Sequence, residues 1–209
     1  MEVIGLLGYQ GVGKNYIAEN ILNEILPKEN TLIMAFADHF KIDCINKHNV
    51  EFNKIYLNKD IESRKLLQRV GTEEGRDVYG DDIWVNVLES WMRVYNNRGI
   101  KRFIICDVRF QNEVNWIKKI GGIVIKINAN DRRRTKLLEE TSNNEEKVKE
   151  ICDHRTESEL ENVKGYDYEV NNSVGKNINL LDKIKKINAL IAKHEEEIAN
   201  PILKYISER

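Results

Sequence analysis

Proline is nearly missing from this chain of 209 residues, where only Pro27 and Pro201 occur. That scarcity excludes collagen-like and proline-rich extended architectures and leaves long stretches able to be helical. Cysteine is sparse too. Cys44, Cys106 and Cys152 are odd in number and far apart, which suits reduced thiols rather than a disulfide framework. No apolar run approaches the roughly 20 residues that span a bilayer, so no membrane partner is expected. Neither sign of charge prevails: 33 Lys and Arg stand against 34 Asp and Glu, a formal net charge of -1. Without a global positive excess no nucleic-acid partner is expected, and any bound anion must meet local positive charge. The N-terminus is acidic at Glu2 and enters "VIGLLG" without a basic segment or a small-residue cleavage site, which makes the cytoplasm the expected location.

What is present suits one domain over 1–209 with an inserted lid, since 41% of residues are apolar and 32% charged. Short apolar runs at 3–8, 31–37, 102–107, 122–127 and 166–172 alternate with helix-period segments at 14–26, 60–76, 82–97 and 111–120. This order predicts an α/β protein of three layers, α/β/α, around a mainly parallel five-stranded sheet. Residues 128–165 break the rhythm, being highly charged around a polar "TSNNEE" centre, and read as a helical lid. From 175 the pattern is helical again through Leu180, Leu181, Ile184, Ile187, Leu190 and Ile191. The spacing of the final segment suits a helix docked on the core or a homodimer contact.

The loop "GYQGVGK" follows the first strand and opens a helix, the placement required of a phosphate-binding G-x-x-x-x-G-K loop. Gly8, Gly11, Val12, Gly13, Lys14 and Asn15 would then enclose phosphate oxygens with backbone N–H groups, and Lys14 would bridge the terminal phosphates. Asn15 stands where a hydroxyl is expected for Mg²⁺, so the ion would be held largely through water and phosphate oxygens. Asp107 ends the third apolar run, where a metal-side carboxylate would lie, although an ordinary strand-end aspartate reads the same way. His39, Cys44 and His48 have a metal-like spacing, but His39 falls on another helix face and no fourth ligand is near, so no protein metal centre is expected.

At "ICDVRFQNEVNWIKKIGGIVIKI" the sequence resembles the phage-type deoxynucleoside monophosphate kinases of the phosphate-loop nucleoside monophosphate kinase group. The signature is carried by Asp107, Val108, Arg109, Phe110, Asn112, Glu113, Gly121 and Gly122. "FADHFK", "LLQRVGTEEGRDVYGDDIWV" and "HRTE" are similar to further family segments in the same order. The resemblance implies transfer of the ATP γ-phosphate to a deoxynucleoside monophosphate, with acceptor-binding helices over 60–97 and a lid over 128–165. It implies catalytic roles for Lys14, Asp38, Asp107 and Arg109. Acceptor contacts would come from Asp38, Lys41, Gln68, Thr72, Arg76, Trp84, Arg109 and Glu113, and donor contacts from Arg132 and Arg133 besides the loop. Simpler readings stand beside several of these: a helix cap for Asp38, core for Trp84, a solvated face for at least one of Arg132 to Arg134, and a polar loop for His154 and Glu157. A dephospho-coenzyme A kinase-like enzyme, or a nucleotide-binding regulator without catalysis, would share the loop and the sheet.

Overall fold

Each apolar run forms a strand of one sheet. The computed structural model describes residues 1–19, 26, 28–57, 59–173, 187–194 and 196. Its strands are β1 (Glu2–Leu7), β2 (Thr31–Met34), β3 (Arg102–Val108), β4 (Ile123–Asn128) and β5 (Tyr168–Asn171). They lie in the order β2-β3-β1-β4-β5, and all four pairings are parallel. Period-two alternation sends successive residues to opposite faces. Ile4 and Leu6 of β1 join Ile104 of β3 in one apolar cluster, while Val3 and Leu7 join Phe103 and Ile105 in the other. Gly5 is small for a reason, since a Cβ there would stand 2.6 Å from the Ile117 side chain.

The described α-helices of four or more residues are α1 (Lys14–Ile17), α2 (Ala37–His48), α3 (Phe52–Tyr56), α4 (Ile61–Gly71), α5 (Ile83–Asn97), α6 (Gln111–Lys119), α7 (Asn130–Glu140), α8 (Glu145–Asp153) and α9 (Arg155–Ser158). Helices α5 and α6 cover one face through Val85, Leu88, Met92, Val114 and Ile117. Ile17, Ala18, Ile187 and Ile191 cover the other, which gives the expected three-layer α/β/α arrangement. The helical stretch 187–194 is therefore docked on the sheet through its two buried isoleucines. Leu180, Leu181 and Ile184, the far end of the tail, and most of the expected helix 14–26 beyond Glu19 lie outside the described residues.

Two helices were not foreseen by periodicity. Helices α2 and α3 occupy 37–56 and pack with α4 around a small cluster of Cys44, Ile55 and Val70. Their signal is masked because Ile42 and Phe52 are apolar yet exposed. Helix α4 starts where Asp60 Oδ1 accepts the Ser63 N–H at 2.7 Å, a side-chain cap. It does not continue regularly to Arg76: from Thr72 to Arg76 the helix widens into a π turn. Between β4 and β5, the segment expected as a lid forms α7, α8 and α9.

Candidate active site

Strand β1 sends its chain out to β2 on one side, whereas β4 lies on the other, so the order reverses at the carboxyl end of β1. Such a switch point leaves a crevice between diverging loops. Here it is a cleft of about 460 Å³. Its wall includes Gly11, Gly13, Lys14 and Asn15 at one end, Gln68, Thr72, Arg76 and Trp84 at the other, and Lys41, Asp107, Arg109, Glu113 and Arg132 besides. Gly8, Val12, Asp38 and Arg133 are not part of that wall.

The loop at residues 8–13 has its conformation fixed from several directions. Gly13 has φ 89°, in the left-handed region, and a Cβ there would collide with Asn172 Nδ2. Val12 turns its side chain into the core, while its carbonyl accepts from Asn172 Nδ2 at 2.9 Å. Lys14 is buried and folds back over the loop, donating to Gly8 O at 2.5 Å and Tyr9 O at 2.8 Å. Burial, then the nearby Arg109 charge, hold the Lys14 ammonium well below the usual lysine range. A phosphate would relieve that penalty by supplying opposite charge.

Every polar residue of the strand-end signature has a partner. Asp107 accepts the N–H groups of Phe36 (2.8 Å) and Ala37 (2.9 Å), which ends β2 and aims α2. Asp38 spends its carboxylate locally, accepting the Ala35 N–H at 2.9 Å and pairing with Lys41 at 2.9 Å. It thus positions Lys41 from outside the cleft wall. Asn112 Nδ2 donates to Asp81 O and to Asp82 Oδ1, each at 2.9 Å. Glu113 reaches back to accept from Arg109 N (2.7 Å) and Phe110 N (3.1 Å), and pairs with Arg76 at 2.5 Å. Both side chains of that pair are 3% exposed, and the guanidinium also lies 4.0 Å from the Phe110 ring centroid. Arg76 therefore reaches the cleft as part of a buried network rather than as an uncommitted clamp.

Burial pushes the Glu113 carboxyl up to about 7 against the pull of Arg76. A carboxyl raised in the folded state contributes stability that is complete below its unfolded value and lost as pH rises through about 7. Wild type measured against Glu113→Gln in urea titrations should consequently lose relative stability between pH 5 and pH 8.

Trp84 is buried and fixed, its Nε1 donating to Gly71 O at 2.7 Å and its ring 4.9 Å from Phe40. It is both core and cleft wall. A Cβ on Gly75 would collide with the indole, so the glycine in the widened turn is what lets Trp84 approach. Of the residues with metal-like spacing, Cys44 is buried in the α2–α4 cluster, His48 pairs with Glu74 and His39 faces Trp84.

Asn172 and Lys59 escaped the sequence reading, and Glu157 and His154 were matched there without a role. Glu157 is 1% exposed, and its carboxylate joins Arg109, Arg133 (3.2 Å) and the loop N–H of Gln10 (3.1 Å). His154 caps α9 by accepting the Thr156 N–H, and that short helix sets Glu157 in place. The "HRTE" match pointed to this position without giving it a task. Asn172 follows the last strand and holds Val12, which only the fold could reveal. Lys59, between α3 and α4, lines the cleft in a stretch without periodic signal.

No protein-family model matches the chain. A protein of Acanthamoeba polyphaga mimivirus, provisionally named a deoxynucleotide monophosphate kinase, is 29% identical over 187 residues, covering 80% of this chain and 86% of the relative. The resemblance read from the motifs thus extends over most of the chain. Among solved structures, TT1252 from Thermus thermophilus is similar at 15% identity and a TM-score of 0.50, covering 91% of this chain and 96% of that one. That likeness concerns the fold. Among the described residues no helix is long and apolar enough to cross a membrane.

Proposed function

We propose that this protein is a deoxynucleoside monophosphate kinase that transfers the γ-phosphoryl group of ATP to a dNMP, giving ADP and a dNDP. One observation carries the proposal: loop 8–13 with Lys14 and the α4–Trp84 wall border a single cleft that also holds Asp107 and Arg109. Two phosphate-bearing molecules can meet in such a cleft, and phosphoryl transfer asks mainly for alignment and charge neutralisation. The name of the mimivirus relative supports the same reading.

In this account loop 8–13 encloses the donor phosphates and Lys14 exchanges its bonds to Gly8 O and Tyr9 O for phosphate oxygens. Gln10 Nε2 and Arg133 Nε are buried without a hydrogen-bond partner among the described residues, and donors beside the loop suit phosphate acceptors. Arg132 reaches the cleft from α7, and α7 to α9 act as the lid. Arg109 is held by Glu157 and faces the transfer point. Trp84 and Phe40 form an apolar wall for the acceptor base, with Gln68 and Thr72 as hydrogen-bonding groups.

The chemistry of the wall fits Mg²⁺ bound mainly to nucleotide. Asp107 is a cleft carboxylate oriented by two N–H groups, and it would hold the ion together with phosphate oxygens and water. When bound, the ion would draw charge from the transferring phosphoryl group. Asn15 lines the cleft without a hydroxyl, so Asn15→Ser is expected to change kcat less than about threefold, because the protein's share of the coordination is small. A gain above tenfold in a Mg²⁺ titration would place the ion against this side chain instead.

The reading is tested by recording ADP formation with ATP, Mg²⁺ and each common deoxy- and ribonucleoside monophosphate, with dephospho-coenzyme A as a further acceptor. Turnover with at least one dNMP is expected. Turnover with dephospho-coenzyme A alone would transfer the protein to that acceptor class, and ATP binding without turnover would make it a regulator.

A further inference from the structure

The cation Lys59 has no place in the account so far. It lies between α3 and α4, lines the cleft, and has no hydrogen bond or ion pair among the described residues. The charged groups that act on it most come from four elements: Lys41 on α2, Arg64 on α4, Lys136 on α7 and the Asp107 carboxylate on β3. All five side chains belong to residues of the same cleft wall. Burial works against the Lys41 charge, but Asp38, with Asp107 and Tyr56, outweighs it. Asp107 is tied to the start of α2 by two N–H groups. Neither relieves Lys59.

Three cationic neighbours converging on a half-buried lysine repel it, and an anion between them would remove the repulsion. Burial first, then those neighbours, lower the Lys59 ammonium to about 8. The position narrows the anion. Lys59 stands just before α4, which carries Arg64, Gln68 and Gly71 of the cleft wall, and Lys136 of α7 is among its charged neighbours. An acceptor whose base rests on the Trp84 and Phe40 wall would present its phosphate beside Arg64. Arg76 is less available for that task because Glu113 holds its guanidinium.

We infer that Lys59 binds the phosphate of the acceptor nucleotide, beside Arg64 and facing Lys136, so that the acceptor itself ties α4 to α7. This inference rests on the kinase reading. It adds a specificity-determining residue to it: a lysine that selects a monophosphate acceptor over an unphosphorylated nucleoside.

The test compares wild type, Lys59→Met and Lys59→Arg in steady-state kinetics with dAMP, dCMP, dGMP and dTMP, alongside calorimetric titration of each dNMP alone. Loss of one charge-assisted contact is expected to raise the acceptor KM and the dNMP Kd about 10- to 100-fold in Lys59→Met, with the ATP KM within about twofold of wild type. Lys59→Arg, which keeps the charge, should recover most of the loss. Thermal melting of both variants checks that the fold is retained. An unchanged acceptor KM, or a rise confined to the ATP KM, would overturn the assignment while leaving the kinase reading intact. If wild type binds a dNMP but turns none over, the kinase reading fails, and the calorimetric comparison alone decides whether Lys59 holds the monophosphate. If wild type binds no dNMP, both fall.

Discussion

Lys14→Met is expected to lower kcat/KM by about 10²- to 10³-fold while leaving the melting temperature nearly unchanged. The two parts follow from one feature. Lys14 is buried, and burial with the Arg109 charge disfavours its ammonium in the protein alone. What it gains there is two bonds to loop carbonyls, Gly8 O and Tyr9 O. Methionine fills a similar volume without the charge, so the lost hydrogen bonds and the relieved desolvation largely offset one another. In the reaction the balance differs, because methionine offers no charge where the ammonium would meet the terminal phosphates. Steady-state kinetics and a thermal melt on the same preparation read both parts. A variant that melts far below wild type would mean that Lys14 is chiefly a brace for the loop.

Glu157→Gln should cost about 3–5 kcal/mol of stability and depress activity with it. The carboxylate is almost fully buried and answers two arginines, Arg109 and Arg133, together with the Gln10 N–H. An amide keeps the size but removes the charge, and it turns an N–H₂ group toward groups that can only donate. Breaking a buried ionic cluster on one side leaves its cations uncompensated, which is costlier than losing the pair whole. For a chain of this length the melting temperature should fall by roughly 10 °C. ATP should restore more stability to the variant than to wild type, since its phosphates supply the missing negative charge. Equal melting temperatures for the two proteins would show that Glu157 is not the element joining loop 8–13, β3 and α7.

The sheet was legible because strands covered on both faces read as unbroken apolar runs, and each of the five appears where its run lies. Loop 8–13 was legible because a glycine pattern between a strand and a helix leaves few alternatives. Helices α2 and α3 were not, since a small cluster around Cys44 and Ile55 imposes only a weak pattern on a largely exposed surface. Partnerships across the chain were hidden for a different reason. Glu157 meets Arg109 across 48 positions and Asn172 meets Val12 across 160, and neither separation leaves a local trace. The same gap explains Arg76 and Asp38, which carried acceptor roles by resemblance. Their nearest partners prove to be Glu113 for the first and Lys41 with the Ala35 N–H for the second.

The fate of the γ-phosphoryl group tests the central claim most directly. Phosphorus NMR of the protein with ATP, Mg²⁺ and each dNMP in turn should show, for at least one acceptor, a dNDP β-phosphate signal growing in step with ADP. Release of inorganic phosphate in place of a dNDP, or an unchanged ATP spectrum with every acceptor, would contradict it.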